Sequence, residues 1–114
     1  MKQGEIYLVD FGKRYKSEIG KVRPAVIMQN NFLNTMLNRQ KYKNVLVVPI
    51  TSDNVVTEYK IALGKRDKLQ KDSFIIANWI CTVDIEHVQI QKGVIAGLNS
   101  TEIEKLKEKI CNLI

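Results

Sequence analysis

Arg23 has the setting in which a charged side chain of this chain could do most chemistry. It stands between a polar, Gly-containing segment over 17–21 and an apolar, largely β-branched run that starts at Pro24. A guanidinium held at the start of a rigid strand, with solvent on its loop side, is a permanently charged, forked donor suited to phosphate. Pro24 fits there, because the first residue of a strand need not supply a ladder donor. Other polar residues fall at expected strand ends: Glu18 in the preceding loop, Thr51 and Ser52 after the third apolar run, and Asn78, Thr82 and Asp84 around Trp79. If these ends converge, they form an Arg/Thr/carboxylate site. Such a site could position RNA so that its own 2′-hydroxyl attacks the adjacent phosphate, leaving the protein only charge stabilisation and proton transfer to provide. The residue types permit that chemistry without selecting it. Taken alone, a surface arginine beside an edge proline is the commoner meaning of the pattern.

Other chemistries find little support. His87 is the single histidine, set in the alternating segment 84–88, and is expected to be an exposed strand residue rather than a base. Cys81 and Cys111 sit in apolar contexts, where thiols are usually inert, so a His-based nucleophilic triad is weakly supported. Two widely spaced cysteines and one histidine fall short of a structural zinc site. Reduced thiols are a simpler expectation than a disulfide. No phosphate-cradling glycine loop is present.

The chain has 114 residues, enough for one core, and 1–114 reads as a single domain. Hydrophobic residues make up 45% and charged residues 26%, a soluble globular composition. Lysine and arginine number 18 against 12 acidic residues, a formal charge of +6, which would speed encounters with polyanions. No apolar run reaches the ~20 residues needed to span a bilayer. The segment 1–5 leads directly into a strand-like run, without a signal-peptide pattern. A cytoplasmic protein is expected.

The elements that must position these residues follow from apolar patterning. Strands are predicted over 6–11, 23–29 and 45–51, the last continuously apolar and so buried on both faces. Pro49 should end that strand's pairing on one side. An alternating strand is predicted over 58–63, a buried one over 73–77 with an irregular continuation over 78–84, and a weak one over 86–90. The polar stretch 30–44 reads mainly as a mobile loop with room for one helical turn. Ser100 or Thr101 should cap a final helix, with Glu102 and Glu104 in its first turn. Ile103, Leu106, Ile110 and Leu113 recur on one face of that helix. Many short strands and one amphipathic helix indicate a mainly β fold, a small curved antiparallel sheet or barrel with a helix against it.

The ordered series Gly4-Glu5-Ile6-Tyr7-Leu8-Val9-Asp10-Phe11, Ser17-Glu18, Arg23-Pro24-Ala25-Val26-Ile27, Val48-Pro49-Ile50-Thr51-Ser52, Asp72-Ser73 and Cys81-Thr82-Val83-Asp84 resembles the MazF/PemK toxin family over nearly the whole chain. Each motif is weak alone; the ordered series is strong. The resemblance implies an SH3-like small antiparallel β-barrel of the Kid/CcdB type with a C-terminal α-helix, working as a homodimer. It implies the toxin of a type II toxin–antitoxin system: a sequence-specific endoribonuclease, or mRNA interferase, that cuts single-stranded RNA without metal or other cofactor. A cognate antitoxin with an acidic, partly disordered tail would occupy its RNA groove. Carried over by position, Arg23 matches the arginine that donates to the phosphate and acts in proton transfer. Thr51 matches the threonine that holds the scissile phosphate, and Glu18 an acidic loop residue with a proposed acid–base role. Tyr15, Lys16, Lys21, Gln29, Ser52, Asn78, Trp79 and Thr82 are expected RNA contacts.

Two departures stand out. Where the family usually has an acidic residue and Gln, this chain has Asn78-Trp79, and where it commonly has Arg or Lys before Thr or Ser, it has Cys81. Loss of that cation would weaken RNA binding or change sequence preference. Trp79 would offer a stacking face worth ~1–3 kcal/mol if used, and filling the barrel or dimer interface is an equal alternative. Two other functions remain open for the same fold: a non-enzymatic toxin that inhibits a protein target such as DNA gyrase, or a degenerate member that only binds RNA or a partner.

Overall fold

The two-residue period of the apolar strands buries both faces of one sheet. The computed structural model describes residues 1–12 and 21–114. Strand β1 (Glu5–Asp10) pairs antiparallel with β2 (Val22–Ile27), and β2 with β3 (Asn44–Thr51). Odd-numbered Tyr7, Val9, Ala25, Ile27, Val45 and Val47 pack into one core on one face. Even-numbered Ile6, Val26, Val48 and Ile50 pack into a second core on the other. The continuous apolar run of β3 has its reason here, since a strand covered on both sides has no polar face.

Strand β3 also curls the sheet. Its pairing with β2 ends at Ala25 and Pro49, as a residue without an N–H should impose. The last two residues, Ile50 and Thr51, then pair with Ile75 and Phe74 of β5 (Ser73–Ile76). The first half of β3 pairs with β6 (Cys81–Asp84). Strand β4 (Lys60–Leu63) lies on the outer side of β5, and β7 (Ala96–Gly97) on the outer side of β1. The result is the expected mainly β architecture, a curled antiparallel sheet closed at one side by a terminal helix.

That helix, α2 (Ser100–Asn112), begins one residue earlier than its sequence signals predict. Asn99, rather than Ser100 or Thr101, is the cap: its side chain accepts from Glu102 N–H at 2.8 Å, and the Glu102 carboxylate accepts from Asn99 N–H at 3.0 Å. Leu106 is fully buried in the second core and Ile110 packs at its edge, while Leu113 is exposed. Gly4 makes room for this docking. Its φ is +91°, and a Cβ there would stand 2.6 Å from Ile103 Cδ1.

Two other expectations are corrected. The 30–44 stretch is not mainly loop: Asn30 caps α1 (Asn31–Thr35), and a 3-10 turn (Leu37–Arg39) follows and buries Leu37 in the first core. One apolar residue at the right place anchors a polar stretch, and composition does not reveal it. The 86–90 segment is not a strand but 3-10 turns (Ile85–His87 and Ile90–Lys92) joined by a single bridge from Val88 to Val9. The Asp84 side chain accepts from Glu86 N–H at 2.9 Å, and this local turn competes successfully with the ladder. Among the described residues, no helix is long and apolar enough to cross a membrane.

Candidate functional site

Register places Arg23 beside Thr51. The antiparallel pairing of Ala25 with Pro49, continued by two residues on each strand, sets the two opposite one another on the face of the first core. One Arg23 Nη1–H donates to Thr51 Oγ1 at 3.4 Å, a long and therefore weak bond. The same oxygen accepts from the Asp53 backbone N–H at 3.1 Å. A hydroxyl has two acceptor lone pairs and one proton. Both contacts here use Thr51 as acceptor, and no acceptor for its O–H occurs among the described residues. Thr51 is only 7% exposed, and its hydroxyl, accepting from two donors, keeps its proton available to donate next to a guanidinium. Together they form a two-component cradle suited to an anionic oxygen.

The row continues across the sheet. Thr51 pairs with Phe74 of β5, and Phe74 with Ala62 of β4, so the four side chains share a face. Phe74 is half-buried and Ala62 exposed. Lys60, one pleat along from Ala62, holds its Nζ 5.8 Å from the Phe74 ring centroid and donates to Val55 O at 3.0 Å. Sequence reading passes over Phe74 and Lys60, because the only signal that finds them is the pairing register of β3, β5 and β4.

The other expected contacts are distributed unevenly. Glu18, Tyr15 and Lys16 lie outside the described residues. Lys21 is exposed at φ +68°, next to the strand start, and exchanges backbone bonds of 2.9 Å with Phe11 and Gly12. Trp79 is half-buried against the first core, on the turn (Ala77–Trp79) that joins β5 to β6, with Asn78 exposed beside it. Cys81 pairs with Val47 at the edge of the same core. Thr82 pairs with Leu46, whose side chain packs on the second core, so alternation turns it to the opposite face from Arg23. Ser52 also lies on that reverse side, lining a cavity of about 550 Å³ with Pro24, Leu8, Lys68 and Lys92. Gln29 is at the far end of β2, roughly 20 Å from Arg23 along the strand. There its side chain donates to Asn34 Oδ1 at 3.3 Å. Within one copy of the chain, Arg23 and Thr51 converge, whereas Ser52, Thr82 and Gln29 lie elsewhere.

His87 is exposed, with Nδ1 3.0 Å from the Asp10 carbonyl oxygen. Both cysteines are free thiols.

Comparison with known proteins identifies the family and the fold. The family described as PemK-like, MazF-like toxin of type II toxin-antitoxin system matches residues 2–114. The endoribonuclease MazF of Staphylococcus epidermidis is 33% identical, the match covering 91% of this chain and 85% of that protein. That of Staphylococcus saprophyticus is 35% identical over 74% of this chain and 68% of its own. Among solved structures, MazF from Deinococcus radiodurans superposes with a TM-score of 0.76 at 15% identity, covering 99% of this chain and 94% of the other. A mycobacterial endoribonuclease in complex with its cognate antitoxin superposes at 0.71 with 18% identity, covering 98% and 92%. At those identities the structural likeness establishes the fold.

Proposed function

Because the chain belongs to the PemK-like, MazF-like toxins of type II toxin–antitoxin systems, we propose that it is an endoribonuclease that cuts single-stranded RNA at short sequences without a metal. The observation that carries this reading is the Arg23–Thr51 cradle, a fixed guanidinium and a hydroxyl whose lone pairs are already occupied. The names of its curated relatives support the same activity.

In this mechanism the scissile phosphate sits against Arg23 and Thr51, which donate to its non-bridging oxygens. The 2′-oxygen–phosphorus bond forms as the bond to the 5′-oxygen breaks. The 2′-hydroxyl proton passes to a base, assigned to Glu18, and the leaving 5′-oxygen takes up a proton from solvent water. The products are 2′,3′-cyclic phosphate and 5′-hydroxyl ends. Arg23 contributes charge and oriented N–H groups as the phosphate gains negative charge. The surplus of basic residues, +6 overall, assists RNA capture. It also suits a homodimer whose groove is blocked by an antitoxin's acidic tail; one of the superposing structures is a toxin with its cognate antitoxin.

The test is incubation of purified protein with a long single-stranded RNA in EDTA, followed by mapping of the new 5′ ends. Defined cuts with 5′-hydroxyl ends are expected from the native protein, and cutting about 10²–10³-fold slower from Arg23→Ala. Cutting that EDTA abolishes would overturn metal independence, and undiminished cutting by Arg23→Ala would overturn the assigned site.

A further inference from the structure

We propose that Phe74 is the stacking platform for the base beside the scissile phosphate, that Lys60 is the cation for the neighbouring phosphate, and that this pair sets cut-site preference. The inference rests on the RNA-cleaving reading and deepens it.

Three observations converge on Phe74. It is the direct cross-strand partner of Thr51, on the same face, so its ring lies one strand spacing from the phosphate cradle. It is a half-buried aromatic, anchored in β5 yet presenting part of its ring. Its other cross-strand neighbour is Ala62, exposed and small. A base whose phosphate is held by Arg23 and Thr51 therefore meets an aromatic surface in the direction away from Arg23. Aromatic stacking accepts any base, with preference set by stacking strength.

Lys60 completes the unit. Its Nζ sits 5.8 Å from the ring centroid and is tethered by a single bond to the Val55 carbonyl. It forms no ion pair among the described residues. A lysine so placed supplies a point charge next to the stacked base, where the following phosphate passes. Trp79, for which the sequence offers stacking and filling as equal alternatives, is half-buried against the first core.

The experiment combines end-mapping on a long RNA with steady-state cleavage of an oligonucleotide carrying the native cut. For Phe74→Ala, KM should rise about 5- to 150-fold with kcat largely retained. Base preference at one position adjoining the cut should flatten. Phe74→Tyr should restore both, whereas Phe74→Leu, which keeps apolar volume without a stacking face, should not. Lys60→Gln should lower the slope of log KM against log salt by roughly 0.7. A folded Phe74→Ala protein with native KM and cut profile would overturn the proposal. So would a native-like Phe74→Leu, since packing alone would then explain the residue. The same Phe74 variants are compared for binding a single-stranded oligonucleotide in an Arg23→Ala background. Weakened binding supports the platform even if Arg23→Ala still cuts, which would sink only the catalytic assignment. Unchanged binding overturns the platform.

Discussion

Arg23 and Arg66 are both partly buried guanidiniums, and they stand in different settings. Arg66 closes its fork on the Glu102 carboxylate, Nη1 to Oε1 at 2.6 Å and Nη2 to Oε2 at 2.7 Å, and its Nε–H and Nη1–H also donate to the Gly64 and Gly97 carbonyls. That bidentate pair pins the β4–β5 connection to the first turn of α2. Arg23 reaches a neutral hydroxyl at 3.4 Å at the end of two strands. One arginine finishes the structure of the molecule. The other donates to a hydroxyl at the strand ends, where the candidate site lies.

The most severe way to break this comparison is at Arg23. Removing a donor of this kind typically costs 10²–10³ in kcat, so Arg23→Ala should lose about that much cleavage with the urea midpoint held. Arg23→Lys should recover only part, because an ammonium keeps the charge without the fork. A loss of stability in step with activity would show that Arg23 is structural like Arg66.

Glu102→Ala should do the reverse. It removes the Arg66 partner and one half of the capping box, a loss of about 1–3 kcal/mol in urea unfolding, with kcat per folded molecule unchanged. The effect belongs in the lower part of that range, since the two side chains are 29% and 26% exposed. Acid should expose the same pair. The Arg66 fork holds the Glu102 carboxyl below its ordinary value, burial opposing and the Asn99 N–H adding to the depression. The unfolded chain therefore binds the proton first as pH falls. This stability is fully present above about pH 4.3, the unfolded carboxyl's range, and is lost as pH drops through the lower folded value. Native protein should lose more stability than Glu102→Gln between pH 5 and 3, as equilibrium unfolding at each pH would measure; parallel curves would refute the linkage.

Gly4→Ala tests the same docking from the strand side. A Cβ at φ +91°, 2.6 Å from Ile103 Cδ1, should cost about 1–2 kcal/mol, read as a lower Tm with an unchanged cut profile. The smallest effect is expected at Glu104, whose carboxylate meets Lys107 at 3.4 Å on the exposed side of α2. Glu104→Gln should stay within about 0.5 kcal/mol of native in the same assay.

Local pattern determined much of this protein. Alternation and continuous apolar runs place the first three strands and the terminal helix, because burying one or both faces is a constraint on every second residue. Pro49 marks where β2–β3 pairing stops, because a missing N–H is a local fact. The ordered motifs also single out Arg23 and Thr51. What local pattern leaves open is set by contacts distant in sequence. Leu37 turns a polar stretch into an anchored helix and turn only because a core waits for it. Asn99 outcompetes Ser100 as cap once Glu102 is held by Arg66 from another hairpin. Thr51 lies beside Phe74 only because β3 exchanges β2 for β5 at its last two residues. Residue types proposed the chemistry of Arg23; the register of the sheet decided what stands next to it.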